Sequence, residues 1–217
     1  MTAAHTVYGK DLTPVKNKDY AMTFRAGPST TSPFKGNTLA TPVVAGGRTI
    51  LGSNDWAIMK LSACIGKLPE FGWFEAAHTN SDGMIGKGLV ALGYPADDSR
   101  GELALGAGTA VGIEKKTGLI KFTGSAAPGE SGGPVLLVEN GMIRVAGISV
   151  AEKGPGGGPT YLTYTDEHSN LVQNAADVLN SAKTKAILDA DKAAFGQPNP
   201  AAERSTRPLG RTEPASE

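Results

Sequence analysis

From residue 20 to residue 165 the chain repeats one arrangement, a short apolar run followed by a cluster of Gly, Pro, Ser or Thr. Such punctuation cuts these stretches into pieces of strand length, and many short strands at close spacing suggest an all-β fold. The runs fall at 20–27, 37–46, 55–61, 88–95, 103–116, 118–124, 134–150 and 159–165. Within 55–61, Trp56, Ile58 and Lys60 alternate against Ala57, Met59 and Leu61, the period of a strand with two distinct faces. "KKTG" at 115–118 and "ENG" at 139–141 are turn signals, so 103–124 and 134–150 read as hairpins.

The period changes at residue 169. In 169–195, Leu171, Val172, Ala175, Val178, Leu179, Ala182, Ala186 and Ile187 recur at helical spacing, with Ser169 as N-cap and Gly196 as stop. From Gln197 the tail is rich in Pro, Arg, Glu, Ser and Thr and almost without large apolar residues, a composition expected to be disordered. No internal repeat is evident. The pattern predicts an all-β fold of two barrels or sandwiches with a C-terminal α-helix.

The 217 residues suffice for one ordinary domain or two small lobes sharing a core. Lys+Arg equals Asp+Glu at 21 each, so no basic surplus points to nucleic acid or an anionic membrane surface. No apolar run is long enough to span a bilayer, so stable membrane insertion is not expected. "MTAAHTVYGK" has neither the basic start nor the apolar centre of a signal peptide. Cys64 is the sole cysteine, which rules out an intramolecular disulfide and reads as a small buried apolar residue. With three histidines (His5, His78, His168) and no His-x-x-x-His pair, a zinc site has no support, and no metal or cofactor is expected.

The chemistry concentrates in "GSAAPGESGGPVLL", residues 124–137. A serine hydroxyl becomes a nucleophile only with a base in hydrogen-bond reach, a group orienting that base, and donors for the oxyanion. "GESGG" also fits G-x-S-x-G, the elbow of α/β-hydrolase esterases. An elbow feeds a helix, whereas Gly133 and Pro134 lead into a strand-like run. An elbow serine also needs a downstream acid and then a histidine, and Asp166 and His168 are too close together for the usual separate loops. Upstream, "TAAH" at 2–5 and "NDWAIMKL" at 54–61 supply histidine and then aspartate before the serine. Alone, His5 would be a solvated histidine, Asp55 a turn residue and Ser131 a structural serine; three motifs in one order outweigh those readings. His78 and His168 lack such context and read as surface or loop residues.

"TAAH", "D-x-A-x-x-x-L" and "G-E-S-G-G-P" resemble the three catalytic signatures of the trypsin/chymotrypsin-like serine proteases, and "ALGYP" at 91–95 resembles the matching segment of bacterial members. The resemblance runs from residue 2 to about Tyr164. It implies a chymotrypsin-like double β-barrel and a serine endopeptidase acting on polypeptide substrates. It implies Ser131 as nucleophile, His5 as general base, Asp55 as its orienting partner, and the N–H groups of Gly129 and Ser131 as oxyanion donors. Ser125, six residues before the nucleophile, would lie at the base of the primary pocket; a neutral residue there argues against selection of Arg or Lys. Ser149, Val150 and Ala151 resemble the pocket-wall segment, where the family often has Ser-Trp-Gly. Lys153 reads as a solvated loop lysine. Glu130 stands where the family usually has Asp, a residue that pairs with a new N-terminus in activated zymogens; no activation sequence is present.

The implied organisation is an incomplete N-terminal barrel over 1–80 with His5 and Asp55, a C-terminal barrel over 81–168 with the nucleophile and pocket, a helix over 169–196, and a tail over 197–217. Only four residues precede His5, where the family has several strands, so the expectation is either a late-assigned start or a fragment. Secretion or a periplasmic location is suggested by the resemblance alone. The competing readings are a non-catalytic protease-like module and, further off, an esterase of the elbow type.

Overall fold

The apolar runs pair as antiparallel strands. In a computed structural model of the chain, which describes residues 1–8, 22–24, 38–47, 54–63, 73–96, 102–153 and 169–195, β1 (Thr23–Phe24), β2 (Thr38–Ala45) and β3 (Ala57–Leu61) form a three-stranded sheet. After α1 (Ser81–Met84) come β4 (Gly88–Gly93), β5 (Ala104–Ile113), β6 (Ile120–Phe122), β7 (Pro134–Glu139), β8 (Met142–Lys153) and β9 (Ser169–Asn174). These six close into a barrel in the order β4-β5-β6-β9-β8-β7, with β7 returning to pair with β4. Closure pairs both edges of the sheet, so neither is left open for another chain to add to. Two helices, α2 (Ala175–Asn180) and α3 (Ala182–Phe195), follow. The all-β class with C-terminal helices is therefore the observed one, with a closed barrel and a second sheet rather than two stacked sandwiches.

Turn chemistry sets the hairpins. Glu139 pairs with Met142, leaving the two-residue loop Asn140-Gly141, and both residues have positive φ, 53° and 73°. That is the type I′ geometry whose twist matches the flanking strands, and Asn-Gly is its preferred sequence. Lys153, expected in a loop, ends β8 opposite Ser169.

Residues 169–174 depart from the expected helix. They form β9, which fills the gap between β6 and β8, with Val172 opposite both Ile120 and Ser149. Adjacent Leu171 and Val172 are both buried, on opposite faces. Two consecutive apolar residues satisfy a strand covered on both sides, and their spacing also mimics a helical stripe. The barrel thus continues past residue 168, and helix begins at Ala175, capped by Asn174 rather than Ser169. The expected strand at 159–165, Cys64, Asp166, His168, Gly196 and the tail lie outside the described residues.

Asn174 is buried. Its Oδ1 accepts from the N–H groups of Ala176 (2.7 Å) and Asp177 (3.2 Å), and its Nδ2 donates to the Thr79 carbonyl (3.0 Å). Asn174→Ala is expected to cost about 2–4 kcal/mol, from the lost cap and the buried groups left unpaired. A shift of the denaturant midpoint at constant m-value would show it.

Three apolar clusters locate the working parts. The barrel interior is filled by Leu89, Ile120, Phe122, Val135, Leu137 and Val172 with small residues between them. A second cluster joins Trp56, Val44 and Ile58 of the sheet side to Leu119, Ile148, Val150 and Leu171 of the barrel and Val178 of α2. A third, with Ala4, Val7 and Ala57 at its centre, covers the opposite face of the sheet beside Met59 and Tyr8. The alternation in β3 explains the division, since Trp56 and Ile58 face the barrel while Ala57 and Met59 face away. Lys183 of α3 adds a tie across the seam, donating to the carbonyls of Ala45 (3.2 Å) and Gly46 (2.7 Å). Among the described residues no helix is long and apolar enough to cross a membrane.

Candidate active site

The site lies where the sheet meets the barrel. Thr2 and Ala57 exchange backbone hydrogen bonds at 2.9 and 2.8 Å, which ties the "TAAH" segment to β3. Ala3 and Ala4 are buried, and the chain turns through a 3-10 helix at Ala4–Thr6. Small side chains allow that turn to sit against the sheet, and the turn brings His5 over the residue before Trp56.

That residue is Asp55, whose side chain is 1% exposed. Its Oδ1 accepts the backbone N–H of His5 at 2.9 Å, and its Oδ2 lies 2.7 Å from His5 Nδ1. An ionised carboxylate only accepts, so the contact places the ring proton on Nδ1 and leaves Nε2 with a free lone pair. The His5 side chain remains 22% exposed, accessible to a reacting group. Burial pushes the nearby Tyr8 phenol above its ordinary range.

Ser131 stands in the turn that leads into β7 and is half-buried. Gly132 donates to the Ser149 carbonyl at 2.6 Å, and Ser149 donates to that of Gly133 at 2.9 Å, which fastens the turn to β8. Gly132 has φ +83°, and a Cβ there would fall on Thr2 Oγ1 and lie 2.8 Å from Ala3 N. The serine turn therefore packs directly on the segment that carries His5. Among the described residues Ser131 Oγ forms no hydrogen bond with the His5 ring. Gly132→Ala is expected to cost about 1–3 kcal/mol, since the backbone is strained and Thr2 and Ala3 must give way. Thermal unfolding should register this as a fall in Tm of roughly 2–12 °C.

Gly129 has φ +99°, and a Cβ there would lie 2.6 Å from Ala96 N, so a side chain is excluded on two grounds. Neither Gly129 nor Ser131 donates its backbone N–H to another described residue. The residues after Ser131 enter β7, not a helix, so the strand-to-helix geometry of an esterase elbow is absent.

The pocket residues are distributed unevenly. Ser125 is exposed, on a loop lying over β5. A Cβ at Gly106 would fall on the Ser125 carbonyl, and one at Gly108 would fall on the backbone of Gly124. The glycines of "LGAG" thus permit the loop's close approach, a function the sequence signals only as two glycines on one strand face. Ser149 is buried with its backbone engaged by Gly132 and Gly133. The Val150 side chain belongs to the apolar seam, so only its backbone can face a ligand. Ala151 sits opposite Leu171 in the β8–β9 register. His78 is exposed. Among the described residues no group of three or more His, Cys, Asp or Glu could hold a metal ion.

A closed six-stranded barrel beside a second sheet, with C-terminal helices, is the architecture of the chymotrypsin-like proteases. The trypsin-like peptidase domain family matches residues 1–148, and the chain belongs to that family. A glutamyl endopeptidase structure is similar with a TM-score of 0.56 at 18% identity, over 88% of this chain and 80% of that one. The thermostable serine protease AL20, from an extremophilic microorganism, is similar with a TM-score of 0.57 at 15% identity, over 85% and 82% respectively. Identities this low speak for the fold alone. No curated protein sequence is matched.

Proposed function

We propose that the chain is a serine endopeptidase that hydrolyses peptide bonds through an acyl-enzyme. Ser131 Oγ attacks the scissile carbonyl while His5 Nε2 takes its proton. The N–H groups of Gly129 and Ser131 donate to the oxyanion. Collapse of the tetrahedral intermediate expels the amine, which leaves with the proton from His5. Water, activated by the same imidazole, then attacks the ester carbonyl and restores the serine. Asp55 holds the ring and stabilises the imidazolium. Ser125, with the backbone of Ser149, Val150 and Ala151, forms the primary pocket, and a neutral base there offers no partner for Arg or Lys.

One observation carries this reading: Asp55 grips His5 through both carboxylate oxygens, so imidazole tautomer and backbone position are set together. The unformed Ser131–His5 hydrogen bond is consistent with it, because such bonds tighten in the substrate complex. A fluorophosphonate probe tests the proposal. Peptide mapping is expected to find the adduct on Ser131, and labelling is expected to vanish in His5→Ala. A folded chain that takes no label would instead be a non-catalytic protease-like module.

A further inference from the structure

The residue before the nucleophile carries a role that the triad leaves unassigned. Residues 127–130 read Ala-Pro-Gly-Glu, with proline second and glycine third, and Gly129 has φ +99°. This is the signature of a type II turn, which differs from type I by a flip of the central peptide plane. Here that plane consists of the Pro128 carbonyl and the Gly129 N–H. The two point in opposite directions across a trans peptide. Ala96 N donates to the Pro128 oxygen at 2.8 Å, so the carbonyl faces the end of β4 and the Gly129 N–H faces the other way.

Glu130 closes this turn from inside. Its N–H donates to the Ala127 carbonyl at 3.1 Å, and its Oε2 accepts the Ala127 N–H at 2.9 Å. A glutamate reaching back three residues to a backbone amide is the reciprocal bonding of a capping box, used here on a turn. The residue is 7% exposed. Its stem is seated on β4, where a Cβ at Gly93 would lie 2.6 Å from both Glu130 Cβ and Cγ. Among the described residues, the partner of the carboxylate is therefore an amide of its own loop, not an ammonium group.

We infer that Glu130 is a positioning residue whose carboxylate, latched to the Ala127 amide, holds the Gly129 and Ser131 N–H groups aimed at the developing oxyanion. The inference rests on the serine-peptidase reading above. It requires the length of glutamate, since aspartate is one methylene short of Ala127. It does not require the charge, since a glutamine oxygen accepts the same bond.

Four chains decide it: wild type, Glu130→Ala, Glu130→Asp and Glu130→Gln. Fluorophosphonate labelling and turnover of a chromogenic peptide are followed in each. Glu130→Ala and Glu130→Asp are expected to lower the labelling rate and kcat at least about tenfold, with KM within about threefold of wild type. Glu130→Gln should stay within about threefold of wild type in both. Wild-type rates in the aspartate variant overturn the inference, as does a glutamine variant that falls as far as alanine; the aspartate variant decides if alanine fails to fold. A folded wild type that never labels overturns the peptidase reading instead. Amide exchange followed by NMR reads the latch without turnover. The Ala127 N–H is expected to be protected in wild type and Glu130→Gln and exposed in Glu130→Asp. Free exchange at Ala127 in wild type overturns the inference whatever the activity.

Discussion

Replacing His5 with alanine is expected to lower kcat on a peptide substrate by about 10⁶-fold, with KM little changed. In the proposed mechanism the effect is large because the imidazole acts twice, taking the serine proton on attack and delivering it to the leaving amine. Asp55 holds His5 by contacts of 2.7 and 2.9 Å. Ser131→Ala should fall to the same floor, and the double variant no further, since the two residues operate as a unit. The residual rate would come from substrate binding and the oxyanion donors. A single-residue loss below about tenfold in His5→Ala, with the fold intact by circular dichroism, would rule out His5 as the base.

Asp55→Asn is expected to give the second large effect, a loss of about 10⁴-fold in kcat. The carboxylate uses one oxygen for the His5 backbone N–H and the other for Nδ1. An amide offers one acceptor and one donor in the same volume. Whichever way it turns, one His5 group loses its acceptor. If the amide nitrogen faces Nδ1, it selects the tautomer with the proton on Nε2, which cannot accept from Ser131. The loss should fall on kcat and on fluorophosphonate labelling together. A variant that binds peptide normally but labels at the wild-type rate would show that the ring needs no orientation from Asp55.

The fold was legible where local chemistry is strong. Asn140-Gly141 and the Thr117-Gly118 turn mark hairpins because only a few residues tolerate those backbone angles. The alternation from Trp56 to Leu61 was legible because β3 divides its side chains between two different clusters. Residues 169–174 were not legible as strand. Their pairing partners on β6 and β8 are about 50 and 20 residues away, and a buried strand has no polar face to break the helical pattern. In the candidate site, His5 and Asp55 were singled out by type and order, and the structure places them in hydrogen-bond contact. The support around them was hidden. Thr2 against Gly132 and Ala96 against Pro128 are contacts between small residues or backbone groups, which no side-chain type announces, and Glu130 stood out only as a departure from Asp, without its hold on Ala127 and Gly93.

The seam built on Trp56, Ile148 and Val150 separates the owners of the proposed reacting groups: His5 and Asp55 ride on the sheet, Ser131 on the barrel. Under the proposed mechanism turnover would measure the registry of two bodies, while spectroscopic unfolding measures the integrity of each. On heating or in mild denaturant, slippage of a fraction of an ångström along that seam would then stop the proposed reaction while both halves still gave native spectra. The temperature of half-inactivation should accordingly lie below the melting temperature, with the gap narrowed by substitutions that tighten the Lys183 tie.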